Sequence, residues 1–589
     1  MKKYLSMIVA SVMLVSCVDT IILPDDKTVE EDFWKSKSDV QLIVNNAYRS
    51  MTFENVISRL IVWGDLRSDE LIPIASVTGS LVEDLTEINL GNTQEDNAFV
   101  TWGDFYSVIN YCNLVLGSAE AVMQEDPSYT QGDYLADCSQ MLALRSLCYF
   151  YLVRNFRDVP YVTQAFKESS QERDIAQASP DSVLTCCISD LETAEKNAIQ
   201  ATAYTDWRRV GYFTRDAIDA LLADIYLWRA SVKHSTSDYE QAIAYCNKVI
   251  ASKKSQHVMG FGETEMPDYP LTEGRKAFIE LYVVGNAEES ILELQFDGSS
   301  NPNSGNGKYF GFYNARDGYQ PYLYASDIFK YEQTVYKTGT YSKDWRGWEN
   351  TYATDVNVGD FTGALIRKYI GIPTTANTTV IGQVAKNDTR SYGNTIAMNY
   401  IFYRLADIML MKAEAITALV TQNNPSGENI SDEDTQRLQE AFELVEKVNT
   451  RSRETTLETI KWNTYNTPER LENLILDERL RELAFEGKRW YDLMRYSYRH
   501  YNDDGLSTLV DYTTTLANQH DRNVTLPTVY QPMLDLMKRK LGAKGNAVAA
   551  KINNEARLYL PISLTELKVS PSLRQNPAYS TTDDYSKNY

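Results

Sequence analysis

Histidine and positive charge are both scarce in this chain of 589 residues. The four histidines, at positions 234, 257, 500 and 520, lie far apart, and no His-Glu-x-x-His, Gly-x-Ser-x-Gly or EF-hand pattern occurs. Metal-dependent and catalytic-triad chemistry therefore have no support. Asp and Glu number 80 against 58 Lys and Arg, which gives a net charge of -22. Because a nucleic-acid-binding protein needs a basic surface to displace counterions from phosphates, we expect no nucleic-acid partner.

Cysteine is also rare, with seven in the chain. Apart from Cys17, all lie in the first half and show neither zinc-site nor regular disulfide spacing. We interpret most of them as small buried apolar residues. We expect no metal-ligating residues and no cofactor, while the sequence leaves open whether an ion binds. These six are Cys112, Cys138, Cys148, Cys186, Cys187 and Cys246.

The apolar run at the N-terminus is too short to span a bilayer, which takes about 20 residues. It extends from Tyr4 to Val15 behind two lysines and ends in Leu14-Val15-Ser16-Cys17. This pattern is typical of a bacterial lipoprotein signal peptide, here residues 1–16, after which the thiol of Cys17 takes a diacylglycerol. Acyl chains would then hold the mature protein on the membrane. In the alternative interpretation the protein is secreted and Cys17 is incidental.

Helical periodicity begins after Ser38 and returns along much of the chain. In the first segment Val40, Val44, Ala47 and Tyr48 share one face. Most later segments come as neighbouring pairs that resemble tetratricopeptide units, although the strict 34-residue signature is absent. Stacked pairs bury faces that no single hairpin could bury, so we predict an α-solenoid-like scaffold. The further segments are 102–124, 139–156, 179–198, 214–231, 239–252, 402–420, 435–452, 470–486 and 488–497.

Long stretches without this periodicity separate the helices. Residues 255–398 are rich in Gly, Asn, Asp, Ser and Tyr and contain only short strand-like runs such as 290–296, and similar stretches cover 72–98 and 502–556. Ordered loops of this length are uncommon in compact domains unless they carry function. The 40 tyrosines suit surfaces that bind amphipathic ligands such as sugars. A compositional habit of the source organism explains the excess equally well.

One acidic group invites a catalytic interpretation. Asp65, Asp69 and Glu70 follow Trp63 closely, and glycoside hydrolysis uses two carboxyl groups about 5 to 9.5 Å apart. Sequence spacing cannot set that separation. We favour a solvated helix end with capping acids.

The segment from Asp477 to Arg495 has the pattern of two helices in succession. Apolar residues form one stripe of the first helix, and we expect Glu478, Arg481 and Glu482 to interact as ion pairs along its exposed face. Gly487 is expected to end that helix and to let Trp490 pack against the next one. The apolar stripe consists of Leu476, Leu480, Leu483 and Ala484.

This segment closely resembles the C-terminal motif of the RagB/SusD family of surface glycan-binding lipoproteins from Bacteroidetes. Other segments match the family in order over nearly the whole chain, and their combination is specific although each alone is mostly helix packing. In the N-terminal half they are Asp32-Phe33-Trp34, Trp102-x-x-x-Tyr106 with Asn110 and Asn113, and Arg145-x-x-x-Tyr149 before Asp158-Val159-Pro160. In the C-terminal half they are Arg404 to Ala415, Val448-Asn449-Thr450-Arg451, Leu558 to Ile562 and Asn576-Pro577.

The resemblance implies a mainly α SusD-like fold, a tetratricopeptide-like helical-pair superhelix that carries a long ligand-binding loop region. A signal peptide (1–16) and a lipidated tether (17–37) would precede an N-terminal helical half (38–254) and a C-terminal half with the ligand loops (255–589), in one compact body. The protein would be anchored by lipid to the outer membrane and face the exterior. There it would capture oligosaccharide, without hydrolysing it, as the lid of a SusC-like TonB-dependent transporter.

Three alternatives remain open. Some members of the family capture peptides, and the loop composition does not exclude that ligand. An α-helical glycoside hydrolase would shorten polysaccharide, and a purely structural surface protein would bind neither ligand nor transporter.

For a sugar ligand, aromatic rings should stack on the apolar ring faces while polar side chains bind the hydroxyls. The loop from 297 to 352 supplies both kinds of residue, and Trp63 and Arg67 add candidates from the N-terminal side. We take Asp344 and Arg346 as scaffold, because the resemblance includes a structural Asp-x-Arg pair. About half of the aromatic candidates are expected to pin their own loop instead. The loop candidates are Tyr309, Tyr313, Tyr319 and Trp348 for stacking and Asn306, Arg316 and Asp317 for polar contacts.

Overall fold

The computed structural model describes most of the chain after the N-terminal segment. Within the described part, no helix combines the length and the apolarity that crossing a membrane requires. The signal peptide, Cys17 and nearly all of the predicted tether lie outside the described residues. These are 33–579 except 76, 168–170, 172–173, 260–264, 304–307, 314–320, 330–343, 359–360, 370–371, 374–389, 392–396, 426–429, 454–458, 501–510, 522–528 and 553.

Helices dominate the described residues. Those of eight residues or more are α1 (Lys37–Ser50), α2 (Glu54–Ile61), α3 (Ser80–Asn89), α4 (Gly103–Glu125), α5 (Gln131–Phe156), α6 (Pro180–Asn197), α7 (Arg215–Lys233), α8 (Thr236–Gln256), α9 (Leu405–Asn423), α10 (Asp432–Arg451), α11 (Pro468–Glu482), α12 (Arg489–Arg499) and α13 (Gln531–Leu541). Shorter α-helices span Arg208–Gly211, Gly274–Ala277, Tyr309–Tyr313, Trp345–Asn350, Trp462–Tyr465, Leu516–Asp521, Gly545–Lys551 and Leu564–Val569. Two π-helical turns, Val62–Leu66 and Phe278–Val284, each extend a preceding α-helix.

Local sequence sets where these helices begin. Ser36 and Asp39 form a capping box at the start of α1, and Thr130 and Asp133 form another at the start of α5. A proline occupies the first helical position of both α6 and α11, behind a capping Ser179 and Thr467. Side-chain oxygens thus accept backbone N–H groups that the first helical turn leaves without partners.

The helices stack side by side as the periodicity predicts. Extensive contacts join α4 with α5, α5 with α6, α7 with α8, α8 with α9 and α9 with α10, while α11 packs on α9 and α10. Val40, Val44 and Ala47 are buried on the predicted face of α1. The predicted helical-pair superhelix is confirmed.

A small antiparallel sheet interrupts the helical scaffold. Its strand order is β1 (Leu71–Pro73), β5 (Leu323–Ala325), β7 (Phe361–Ile366) and β6 (Thr351–Val358), so it joins the segment after α2 to the predicted loop region. The predicted strand near 290–296 is β4 (Ser290–Leu294), which pairs with β10 (Tyr400–Arg404). Two-stranded ribbons are formed by β2 (Val159–Pro160) with β3 (Gln177–Ala178) and by β8 (Ile372–Pro373) with β9 (Arg390–Ser391).

Two of the predicted loop stretches contain helices. The stretch 72–98 contains α3, whose Val82, Leu85 and Ile88 are buried. The stretch 502–556 contains α13, which buries Met533 and Met537. Both helices are short, and tertiary packing of one apolar face stabilises them where intrinsic helix propensity alone is weak.

A continuous apolar core runs through the scaffold, and a second cluster lies between α9, α10 and α11. The prediction for cysteine is confirmed for Cys112, Cys148, Cys187 and Cys246, which are buried, while Cys138 and Cys186 are half-buried. All six are free thiols. Burial raises the pKa values of Cys112, Cys148, Cys187 and Cys246, which makes these thiols poor nucleophiles.

Candidate ligand-binding region

The predicted ligand contacts fall into three groups in the structure. Asn306, Arg316, Asp317 and Tyr319 lie outside the described residues, so these four stay predictions. Trp348 belongs to the short helix Trp345–Asn350. The other candidates, Tyr309, Tyr313, Trp63 and Arg67, are all buried.

Tyr309 and Tyr313 are the first and last residues of one short helix, and neither side chain is exposed to solvent. The ring of Tyr309 stacks on that of Tyr369 with centroids 4.0 Å apart and planes 8° apart. Tyr313 and Tyr400 continue this stack at 5.9 Å and 6.0 Å from the Tyr309 ring. In this arrangement the rings pin the loop to the scaffold, as we expected for about half of the aromatic candidates, and present no face to a sugar.

The aromatic composition of this helix itself favours burial over exposure. Residues 309–313 read Tyr-Phe-Gly-Phe-Tyr, and such a dense aromatic cluster favours burial. The partners Tyr369 and Tyr400 lie far away in sequence, so no local pattern could reveal the stack. All four hydroxyl groups are buried.

Trp63 and Arg67 have structural roles. The indole N–H of Trp63 donates to the carbonyl of Phe99 at 2.8 Å, and its ring stacks on Phe105 with centroids 5.1 Å apart. The guanidinium of Arg67 lies 4.4 Å from the centre of the Trp490 ring. Both side chains are enclosed by the core, so the structure assigns them to packing and corrects the prediction of ligand contact.

The acidic group Asp65, Asp69 and Glu70 is not a solvated helix end, which corrects our interpretation. All three side chains are buried. Asp65 accepts the backbone N–H of Gly487 at 2.9 Å, and Asp69 accepts two hydrogen bonds from Arg489 at 2.8 and 3.0 Å. Glu70 accepts the backbone N–H of Phe485 at 3.2 Å, so the three carboxyl groups together hold the turn between α11 and α12.

Burial and charge set different ionisation states for these acids. Burial raises the pKa of Asp65 to about 7 and raises the pKa of Glu70 as well. Burial acts the same way on Asp69, but the charge of Arg489 outweighs it and holds the pKa of Asp69 below its usual value. Asp69 is therefore the ionised member of this acidic group.

Two glycines allow the π-helical turn Val62–Leu66 to contact the turn between α11 and α12 closely, and we call this contact, with the three carboxyl groups, the clasp. A Cβ atom at Gly64 would lie 2.6 Å from the Cα of Gly487, so the two backbones touch. Gly487 itself has a φ of +72°, a conformation that residues with side chains rarely adopt. Because β1 starts at Leu71, the clasp fixes the sheet edge to the scaffold.

Glu478, Arg481 and Glu482 of α11 are buried as well, which corrects the predicted exposed face. Glu482 is the last residue of α11 and binds Arg346 at 3.0 Å, Arg404 at 2.6 Å, and Arg451. Although burial opposes ionisation, these three arginines hold the pKa of Glu482 well below its usual range. The helix ends at Glu482, five residues before the predicted Gly487, and Phe485 in the turn that follows has a positive φ of 64°.

The interpretation of Asp344 and Arg346 as scaffold is confirmed. Asp344 caps the helix Trp345–Asn350 by accepting the backbone N–H of Arg346 at 3.0 Å. The guanidinium of Arg346 then binds Asp344 at 2.8 Å and Glu478 of α11 at 2.7 Å. These buried ion pairs fix the helix that carries Trp348 to the scaffold.

The motif of Trp102, Tyr106, Asn110 and Asn113 also has a structural explanation. The hydroxyl of Tyr106 donates to the carbonyl of Pro160 at 2.6 Å, and the Asn113 amide donates to the carbonyl of Val162 at 3.2 Å. All four motif residues line a cleft of about 290 Å³. The motif thus holds the segment after β2 against α4.

Two family models match this chain. The model described as "SusD family" matches residues 275–579, more than half of the chain, and the model described as "Starch-binding associating with outer membrane" matches residues 25–227. SusD-like protein P38 of Formosa agariphila is 26% identical over 532 residues, which cover 84% of this chain and 92% of that protein. SusD-like protein P2 of the same organism is 23% identical over 512 residues, 84% of this chain and 91% of that protein.

Solved structures share the fold. A SusD superfamily protein from Bacteroides vulgatus superposes with a TM-score of 0.64 at 17% identity, over 93% of this chain and all of that one. NanU from B. fragilis superposes with a TM-score of 0.56 at 17% identity, over 95% of this chain and all of that one.

Proposed function

The chain belongs to the SusD/RagB family, and from this premise we propose that it is a cell-surface glycan-binding lipoprotein that serves as the lid of a SusC-like TonB-dependent transporter. It captures oligosaccharide at the outer membrane, holds it while the lid closes, and leaves hydrolysis to other proteins. The description "Starch-binding associating with outer membrane" of one matching family model supports the ligand class and the location.

The observation that carries this proposal is that buried contacts fix two elements of the predicted loop region, the helix Trp345–Asn350 and strand β5, to the helical scaffold. Buried ion pairs of Arg346 with Asp344 and Glu478 fix the helix that carries Trp348. The clasp at Gly64 and Gly487 fixes the other side, where β1 pairs with β5. A binding site held on rigid elements loses little conformational entropy when a ligand docks. These two fixed elements therefore suit capture of a soluble oligosaccharide.

The proposed lack of catalysis is supported by the fate of the acidic group. Hydrolysis of a glycosidic bond needs two carboxyl groups on either side of the substrate. Asp65, Asp69 and Glu70 instead hold the turn between α11 and α12 from inside the protein. These three acids, which invited a catalytic interpretation of the sequence, therefore have a structural role.

The transporter partnership and the lipid anchor belong to the same proposal. A lid must stay near its channel while it opens, and acyl chains on Cys17 would hold it there through the tether to residue 37. The protein would then face the cell exterior, where polysaccharides are available. Co-purification tests the partnership: a tagged version of this protein should retain an outer-membrane β-barrel transporter after detergent extraction, and its absence would contradict the lid role.

The ligand class is tested with the soluble body from about residue 20. Affinity electrophoresis through gels that contain starch, laminarin, xylan or pectin should show retardation by at least one polysaccharide. Trp348→Ala should reduce that retardation without lowering the melting temperature. Failure of every polysaccharide to retard the wild type would contradict glycan capture.

A further inference from the structure

A second aromatic surface lies outside the predicted ligand loops. Trp207 follows α6 in the N-terminal half and leaves 45% of its surface exposed to solvent. It immediately precedes the short helix Arg208–Gly211. A single exposed ring is common on protein surfaces, so its surroundings decide whether it can bind a ligand.

The surroundings hold the indole in one orientation. A Cβ atom at Gly211 would lie 2.6 Å from Cε3 of Trp207, so the ring sits directly on the glycine backbone. The Tyr212 ring meets it edge-on, with centroids 5.3 Å apart and planes at 76°. Tyr212 in turn stacks on Tyr48 at 4.9 Å, and its hydroxyl donates to Asn45 of α1 at 2.8 Å. The platform is therefore preorganised by packing on α1.

A charged pair flanks the exposed ring. The guanidinium of Arg208 binds the carboxylate of Asp206 through two parallel hydrogen bonds of 3.0 and 2.8 Å, and both side chains are more than 40% exposed. The same guanidinium lies 5.1 Å from the centre of the Tyr204 ring. A planar pair held in this way offers both donors and acceptors at the two positions that flank Trp207 in the chain.

We propose that Trp207, with Asp206 and Arg208, forms a second saccharide-binding platform that takes one pyranose unit of a neutral glycan. The apolar face of the sugar stacks on the indole, and adjacent hydroxyl groups bind the Asp206 carboxylate and the Arg208 guanidinium. The choice of a saccharide rests on the proposed glycan-capturing function. The surface itself is defined by the exposed ring and its polar pair.

The platform adjoins the start of the predicted ligand loop. Gln295 lies against Gly211 on the same side as Trp207, and the amide of Asn301 donates to the carbonyl of Gln295 at 2.9 Å. The platform therefore lies beside the residues that lead into the predicted ligand loop. If one glycan chain contacts both places, the first contact raises the effective concentration for the second, and long chains gain more affinity than short ones.

The test compares Trp207→Ala, Trp207→Tyr and Phe53→Ala in affinity electrophoresis on the starch, laminarin, xylan and pectin gels. Phe53 is a matched control because it is another exposed aromatic residue (52% exposed) that directly precedes a helix and lies outside the proposed platform. Trp207→Ala should weaken retention roughly three- to tenfold, as the loss of one stacking contact predicts. Trp207→Tyr should recover part of it, and Phe53→Ala should match the wild type. Melting temperatures identify any variant that fails to fold.

The outcomes separate this site from the proposed function. If the wild type is retarded and Trp207→Ala is retarded equally, the platform is contradicted while glycan capture stands. If Trp207→Ala loses only co-purification with the transporter, the surface is a protein contact and the platform is contradicted. If no polysaccharide retards the wild type, glycan capture and the platform both fail.

Discussion

The guanidinium of Arg404 lies 2.6 Å from the carboxylate of Glu482, and both side chains are buried. Arg404 ends β10, and Glu482 ends α11, so the pair joins the strand of one chain segment to the helix of another. Arg346 and Arg451 bind the same carboxylate from two further segments. The segment that resembles the family motif is therefore the point where four parts of the C-terminal half meet.

Replacing this carboxylate should destabilise the fold strongly. Glu482→Gln leaves three buried arginines with less compensating charge, and removal of one partner from a buried ion pair typically costs about 3 to 5 kcal/mol. Denaturant unfolding should show a loss of that order. The control is Glu433→Gln, because Glu433 pairs with Arg437 on the exposed side of α10 and its loss should leave stability nearly unchanged. A stable Glu482→Gln variant would contradict the central role of this carboxylate.

Gly487→Ala should also destabilise the protein. Its φ of +72° strains any residue with a Cβ atom, and that atom would collide with the hydroxyl of Tyr400. We expect a loss of at least about 1 to 3 kcal/mol in the free energy of unfolding. The opposite sign is expected for Gly117→Ala, which lies within α4 with open space around its Cβ position and should gain about 0.5 to 1 kcal/mol. Equal effects of the two substitutions would show that Gly487 tolerates a side chain despite its positive φ and its contact with Gly64.

The clasp should make stability depend on pH. Burial raises the pKa of Asp65 from 3.8 to about 7, so the folded state binds a proton more tightly than the unfolded chain does. The contribution of this group to the free energy of unfolding is then largest below about pH 4 and falls as pH rises towards about 7. Asp65→Asn cannot ionise, so its melting temperature should fall less than that of the wild type over this range. Parallel melting curves would indicate that Asp65 is ionised throughout.

Tyr313 and Trp348 should respond differently to alanine. Tyr313 is fully buried in the tyrosine stack, so Tyr313→Ala should lower the free energy of unfolding by about 3 to 5 kcal/mol. Trp348→Ala should instead weaken glycan retention and leave the melting temperature nearly unchanged. The same two measurements on both variants check this division. Loss of retention in Tyr313→Ala without loss of stability would return Tyr313 to the ligand contacts.

Cys17→Ala tests the anchor. If Cys17 is lipidated, the variant should move from the membrane fraction to the soluble fraction of the cell envelope, because no acyl chain remains. Labelling with a radioactive fatty acid should disappear at the same time. Continued membrane retention without label would mean that the transporter alone holds the protein.

Most of the longer helices could be predicted because they bury one face with a period of 3.6 residues, as Val40, Val44 and Ala47 do in α1, whereas α3 and α13 lie in stretches predicted as loops. The buried charges of α11 could not. Glu478 and Glu482 have the spacing of an exposed helical face, and their partners Arg346, Arg404 and Arg451 lie far away in sequence. Sequence alone cannot tell a solvated ion pair from one enclosed by distant segments.

The same limit applies to the ligand candidates. Tyr309, Tyr313 and Trp63 have the composition of a sugar-binding surface, but rings from Tyr369, Phe105 and other distant positions cover them. Trp207, which is exposed, lies in a short segment between two helices that the periodicity treats as a connection. Whether a side chain is exposed depends on how the whole chain packs, and the neighbouring sequence does not reveal it.

Binding and hydrolysis measured together on the purified soluble body test the central claim most directly. The protein is incubated with each polysaccharide of the panel, retention is measured by affinity electrophoresis, and the chain length of the polysaccharide is followed by chromatography. Retention by at least one polysaccharide with no change in its chain length is the predicted result. Shortened products, or no retention by any glycan, would contradict a non-hydrolysing glycan-capturing lid.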